Sequence, residues 1–346
     1  MKLYISLITV VMMLVACTQE IGEFTDYEAP RLVVNALITA GGENQQIRIH
    51  QTGITHVSKV TGAEVSMAVN GNEVFSQISN GEDSLVIGQN NFRPGDVVTI
   101  SARKGEMHAS ASALVQEPVI ITGVDTMTVK VKASKWNQTL SPHTRYMVHL
   151  RLPEGKPKET RYFRVEVVKD IHTTRIIRQD EELDTLVIGS VNTDTDHSRF
   201  SYAYDPALCE TENADQEDYA IQFDWLAGVE NLYHVFSSNF FKEGEYTLRL
   251  DLPQNLWFAG NGGWDQHVRI RIYSISKTEY HYLQALSAAK YYERDIFTNS
   301  EPMIPSNITG GAGIFCVESV AETSFYENHF IYPQDEHLHD FYETGH

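Results

Sequence analysis

The chain holds 346 residues with 27 Lys+Arg against 46 Asp+Glu, a formal net charge of −19; this excludes the basic face that phosphate binding needs, and with it nucleic acid as a partner. A hydrophobic share of 42% with 10% aromatics supplies a packed core and excludes wholesale disorder. A single core stops growing near roughly 250–300 residues, so about two domains are expected.

Lys2 precedes an apolar run over residues 3–15. That is shorter than the roughly 20 residues that cross a bilayer and reads as a secretory signal. The run ends in Leu14-Val15-Ala16-Cys17, which resembles a bacterial lipobox. Residues 1–16 are then a lipoprotein signal peptide, and the Cys17 thiol carries the lipid as the first mature residue. Residues 17–28, with Glu20, Glu23, Asp26 and Glu28, form a lipidated acidic tether. Thr18 stands where lipoproteins kept in the inner membrane commonly carry Asp, so sorting to the outer membrane is expected. The acids that follow resemble surface-export signals of Bacteroidota lipoproteins, with the periplasmic face as the alternative.

Short β-type segments follow at 32–37, 46–49, 63–69, 84–87 and 96–102. They are punctuated by the hairpin signal Asn70-Gly71-Asn72 and by Arg93-Pro94-Gly95. This spacing predicts an immunoglobulin-like antiparallel sandwich over 29–118, closed at Glu117-Pro118. The remainder, 119–333, carries further strands at 119–124, 126–131, 146–151, 162–168, 174–178, 246–252 and 268–275. One helix is expected at 277–292, because Ser276-Lys277-Thr278-Glu279 has the spacing of a capping box and an apolar helical period follows. The fold class is therefore mainly β: an N-terminal immunoglobulin-like sandwich, then a larger antiparallel sandwich with one covering helix. Residues 334–346 form a polar tail rich in His and acids.

Several stretches resemble the domain-of-unknown-function 4249 family of Bacteroidota outer-membrane lipoproteins. They are Pro30-Arg31-Leu32-Val33-Val34-Asn35-Ala36-Leu37, Val60-Thr61-Gly62-Ala63-Glu64-Val65, Arg93-Pro94-Gly95-Asp96 and Glu243-Gly244-Glu245-Tyr246-Thr247-Leu248-Arg249-Leu250. The most specific are Val268-Arg269-Ile270-Arg271-Ile272-Tyr273-Ser274-Ile275-Ser276 with Tyr280-His281-Tyr282-Leu283, and Asn307-Ile308-Thr309-Gly310-Gly311-Ala312-Gly313-Ile314-Phe315. The segment 180–218 and the tail after Phe330 depart from the family's pattern. Members are often encoded beside TonB-dependent outer-membrane receptors. The resemblance thus implies an accessory or ligand-capture role in nutrient uptake, with such a receptor as partner. It carries no catalytic residues.

The site candidates are modest. Cys209 and Cys316 remain after Cys17 and are candidates for a disulfide in an oxidising envelope; bridging would restrain the unfolded chain by about 4–5 kcal/mol on the entropic account. The glycines Gly310, Gly311 and Gly313 precede an apolar run that reads as a final strand, so a structural turn is expected there and not a phosphate cradle. Asp194 and Asp196 open a calcium-like spacing, but Arg199 stands where glycine is needed. Twelve acids against one base between Asp180 and Asp218 read first as a solvated acidic excursion. His337 and His339 could ligate a transition metal, although a tail preorganises neither. The loop 257–267 places Trp257, Asn261, Trp264, Asp265 and His267 on a glycine-rich turn, a combination suited to capture of a sugar or peptide; tryptophans anchoring the loop to the sandwich explain the same residues. Ser84, Thr126 and Thr185 lie in tripeptides resembling O-glycan acceptors. No nucleophile elbow, zinc-protease, P-loop or C-x-x-C motif occurs, so no enzyme and no cofactor is expected. A surface binding or adhesion module for carbohydrate or protein, acting without a transporter, is the alternative.

Overall fold

The computed structural model describes residues 29–53, 57–132, 140–154, 159–180, 185–197, 205–209, 231–253, 262–292 and 304–330. Its strands are β1 (Leu32–Thr39), β2 (Gln45–Thr52), β3 (Val57–Lys59), β4 (Thr61–Val69), β5 (Asn72–Asn80), β6 (Leu85–Ile87), β7 (Val97–Lys104) and β8 (Met107–Leu114) in the first half. The second half has β9 (Ile120–Lys132), β10 (Leu140–Arg151), β11 (Tyr162–Asp180), β12 (Thr185–His197), β13 (Val235–Ser237), β14 (Glu245–Pro253), β15 (Gly262–Ile275) and β16 (Ala312–Phe330), with one long helix at Lys277–Tyr292.

In the first sandwich a sheet in the order β5-β4-β7-β8 faces β1 and β2. Strict alternation places Leu32, Val34, Ala36 and Ile38 of β1 in the core beside Met67 and Ile100, the pattern of a strand with one buried face. The Asn70-Gly71 hairpin forms as expected, with both residues at positive φ. The Asn70 side chain also ties two turns together: its Nδ2 donates to Asp96 Oδ1 at 2.8 Å, and its Oδ1 accepts from the Val97 amide at 2.9 Å.

In the second sandwich the three-stranded sheet β14-β10-β9 closes over β11, β15 and the end of β16. Tyr146, Val148, Phe163, Leu248 and Ile270 are among its buried side chains. Segments read separately in the sequence fuse here: 119–124 and 126–131 lie within β9, and 162–168 and 174–178 within β11. The long helix occupies the predicted range and packs Tyr280 and Leu283 on Tyr273, Ile275 and Val235, on the opposite face of the same sheet.

The last strand joins the two halves. Residues 312–318 of β16 pair parallel with β1, from Val33↔Ala312 to Thr39↔Glu318. Residues 319–330 pair antiparallel with β15, from Ser274↔Ser319 to Gly263↔Phe330. One sheet, β12-β11-β15-β16-β1-β2-β3, therefore runs through both sandwiches. Phe315 and Val317 enter the first core, whereas Ala321 and Phe325 pack on the second. The connection at 116–119 is held at three points: Ser319 Oγ donates to the Gln116 carbonyl at 2.6 Å, Arg161 Nη2 donates to the Glu117 carbonyl, and the Val119 amide donates to Ser274 Oγ at 3.1 Å. These bonds leave the linker little freedom.

Gly310, Gly311 and Gly313 serve this junction. Gly313 has φ +105, and a Cβ there would lie 2.2 Å from the Val34 carbonyl oxygen; one at Gly311 would lie 2.5 Å from the Leu32 carbonyl oxygen. Only glycine lets β16 approach β1 this closely.

Candidate functional site

The outer face of the long sheet carries a ladder of polar side chains across β11, β15 and β16. Register sets it row by row: Arg164 opposes Tyr273, Glu166 opposes Arg271, which opposes Glu322, and Asp170 opposes His267, which opposes Tyr326. Alternation along β15 sends Val268, Ile270 and Ile272 into the core, so the intervening residues face outward.

At the helix end the ladder is buried. Ser276 Oγ accepts from the Glu279 amide at 3.1 Å, which is the serine half of the expected capping box. The glutamate half does not form as a box requires: Glu279 is fully buried, and neither carboxyl oxygen has a hydrogen-bond partner among the described residues. Burial, and after it the charge of Glu318, push its carboxyl well above the usual carboxylate range, favouring the neutral acid. Glu318 takes Arg164 Nη2 on both oxygens, at 2.8 and 3.1 Å, and that guanidinium lies 3.9 Å over the Tyr273 ring. The Tyr273 hydroxyl donates to Glu166 Oε2 at 2.8 Å.

Beyond the helix the ladder opens to solvent. Arg271 Nε donates to Glu322 Oε2 at 2.5 Å, with Glu166 3.6 Å from its Nη1. Arg269 Nη2 donates to Asp170 Oδ2 at 2.8 Å, and His267 Nδ1 stands 3.9 Å from the same oxygen. The imidazole of His267 stacks on Tyr326 with 4.2 Å between centroids and 5° between planes. Tyr326 is 75% exposed.

Of the five residues placed in the ligand loop, His267 reaches this face. Trp264 and Asp265 belong to β15, opposite Thr173 and His172 of β11 and His329 and Asn328 of β16. From Gly262 onward the stretch read as a loop is strand, because the long-range pairing of β15 outweighs the glycines. Trp257 and Asn261 lie outside the described residues, as do Cys17, His337 and His339. Asp194 and Asp196 lie on β12 opposite Ile171 and Lys169. No group of three or more His, Cys, Asp or Glu side chains that could hold a metal occurs among the described residues. Ser84 is half-buried before β6, Thr126 is exposed on β9, and Thr185 opens β12.

The candidate disulfide is not formed in this structure: Cys209 and Cys316 are separate thiols. Cys316 is buried with its sulfur 3.7 Å from Ser276 Oγ, whereas Cys209 ends the short helical turn Pro206–Cys209, its amide donating to the Asp205 carbonyl. Burial pushes the Cys209 thiol up to about 12 and raises Cys316 as well, so neither is a thiolate nucleophile at neutral pH.

Two hollows lie elsewhere. A cleft of about 770 Å³ between the sandwiches is lined by Leu114, Glu117, Arg161, Tyr162 and Lys277 among others. A second, of about 410 Å³, adjoins a hydrogen-bonded chain in which His149 Nε2 meets Asp125 Oδ2 at 2.9 Å and Nδ1 meets Thr247 Oγ1 at 3.0 Å. His149 and Thr247 are directly opposed on β10 and β14, and the Asp125 side chain is 70% exposed, which is ordinary cross-strand pairing on a wet sheet face.

A family model described as Domain of unknown function (DUF4249) matches residues 19–324. The chain belongs to this family. No protein of curated function matches it. Sequence reasoning missed Asp170, Arg269 and Tyr326; the signal that marks Tyr326 is the period-2 alternation after Val317, in which Ala321 and Phe325 turn inward while Glu322, Ser324 and Tyr326 are exposed.

Proposed function

We propose that the protein is a non-enzymatic outer-membrane lipoprotein, anchored through Cys17 and exposed at the cell surface, that captures ligand as the accessory partner of a TonB-dependent transporter. The observation that carries this reading is the sequence Leu14-Val15-Ala16-Cys17 ahead of an acidic tether, which resembles a lipobox and would deliver the sandwiches to a membrane surface. The tie to a transporter comes from the family's usual gene neighbourhood. Two further features support it. The sandwiches share a strand and a bonded linker, so they present one preformed surface, and preorganisation lowers the cost of binding. No described helix is long and apolar enough to cross a membrane, which agrees with attachment by lipid.

A fully acylated anchor holds the chain at the bilayer, and a modest contact then suffices to keep it beside a receptor. The test is affinity purification from detergent-solubilised outer membranes followed by mass spectrometry. A TonB-dependent receptor recovered in near-stoichiometric amount is the expected result; recovery of adhesin or fimbrial subunits without a receptor would favour the adhesive alternative and overturn the transporter role.

A further inference from the structure

We infer that the open end of the polar ladder, centred on Tyr326 and His267, is a binding platform for a neutral glycan. The inference rests on the ligand-capture part of the proposed function and names its ligand class; it needs no receptor, so the two can fail separately.

Three observations lead to it. First, Tyr326 is 75% exposed yet fixed, because His267 covers one ring face in a parallel stack at 4.2 Å. The other face is a flat apolar surface held in one place, the kind that the C–H face of a pyranose covers at small entropic cost. Second, planar hydrogen-bonding groups continue from the ring along the same face, locked by their own pairing: Asp170, opposed to the stacked His267, with Arg269 at 2.8 Å, and, further back along β16, Glu322 with Arg271 at 2.5 Å. Paired carboxylate and guanidinium groups keep spare acceptors and donors for hydroxyls. Third, the charges on this stretch nearly cancel. In a chain of net charge −19, the three carboxylates Glu166, Asp170 and Glu322 stand against two guanidiniums: Arg271 lies directly opposite Glu166 and Glu322, and Arg269 pairs with Asp170.

This near-cancellation decides between ligand classes. An anionic ligand would meet three carboxylates, and a cationic one two guanidiniums already committed to partners; a polyhydroxylated neutral ligand meets neither cost. A protein partner fits less well, since interface centres need clustered apolar anchors, and Glu322 and Ser324 are the exposed β16 neighbours of Tyr326 on this face.

The test is affinity electrophoresis of the full mature chain in native gels cast with dextran, xylan, mannan or laminarin. The wild-type chain should be retarded by at least one of them. Tyr326→Ala should weaken that retardation at least tenfold, whereas Tyr326→Phe, which keeps the ring face, should stay within threefold. Tyr326 is exposed, so equal thermal midpoints for the three proteins confirm intact folding. Retardation in none of the four gels, or equal retardation of wild type and Tyr326→Ala, overturns the platform.

Discussion

Replacing Gly313 with alanine puts a Cβ 2.2 Å from the Val34 carbonyl oxygen, 2.8 Å from Asn35 Oδ1 and 2.9 Å from the Val34 carbonyl carbon, at φ +105. Two costs combine. A non-glycine residue at such a φ is strained by about 1–3 kcal/mol, and the backbone clash forces β16 away from β1 at an overpacking cost of about 1–3 kcal/mol. Their sum centres on about 4 kcal/mol, a large share of the margin of a typical domain. Two controls separate the contributions. Gly41→Ala meets nothing within 4 Å but keeps φ +76, so it carries strain alone, about 1–2 kcal/mol. Gly88→Ala meets open space without a positive φ and should change stability by no more than about 0.5 kcal/mol. Urea denaturation followed by tryptophan fluorescence and far-UV circular dichroism reads all three. Because β16 serves both sandwiches, the Gly313→Ala loss should appear in the transition of the whole chain. A Gly313→Ala midpoint equal to that of Gly41→Ala would refute the close approach of β1 and β16.

Three further outcomes are expected. Burial, and after it the charge of Arg164, lowers the His234 pKa from 6.5 to about 4. The unfolded chain therefore takes up this proton first, and stability falls as pH drops from about 6.5 to 4, by roughly 3 kcal/mol at most; His234→Asn, compatible with φ 50 at this position, should flatten that limb in pH-resolved denaturation. Asp205 works in the opposite sense: burial raises it to about 6, so acidification from about 6 to 4 favours the folded state. Arg164→Met leaves the Glu318 carboxylate buried without its bidentate partner and should cost about 3–5 kcal/mol, whereas Glu279→Gln replaces a carboxyl whose neutral form burial favours and should stay within about 1 kcal/mol by thermal melting. Cys17→Ala should release the chain from membranes or leave it unprocessed, as read by fractionation and lipid labelling.

Local chemistry was legible in the sequence wherever the deciding contacts are local. Asn70-Gly71 specified its hairpin because two successive positive φ values suit that pair. Ser276 marked the helix start because a serine hydroxyl satisfies an orphan amide. The fate of Glu279 was not legible: the same spacing that suggests a capping box also sets this carboxyl against Glu318, 39 residues away in the chain and brought near only when β16 docks. The ladder was hidden for a related reason. Asp170, His267 and Tyr326 come from three strands, and which strands become neighbours is settled by long-range pairing that no local period encodes. The glycines at Gly262 and Gly263 suggested a loop, and pairing to both β11 and β16 overrode them. The glycine run near Gly313 was read correctly as structural, although its partner, the β1 backbone, could be named only from the fold.

The central claim, that the anchored chain works beside a transporter, is tested most directly by crosslinking in living cells with the wild-type protein and Cys17→Ala compared at equal expression. The account predicts a crosslinked TonB-dependent receptor in the wild-type strain and its loss when the anchor is removed. A wild-type strain that yields no receptor adduct, and grows unchanged on limiting nutrients after the gene is deleted, would contradict it.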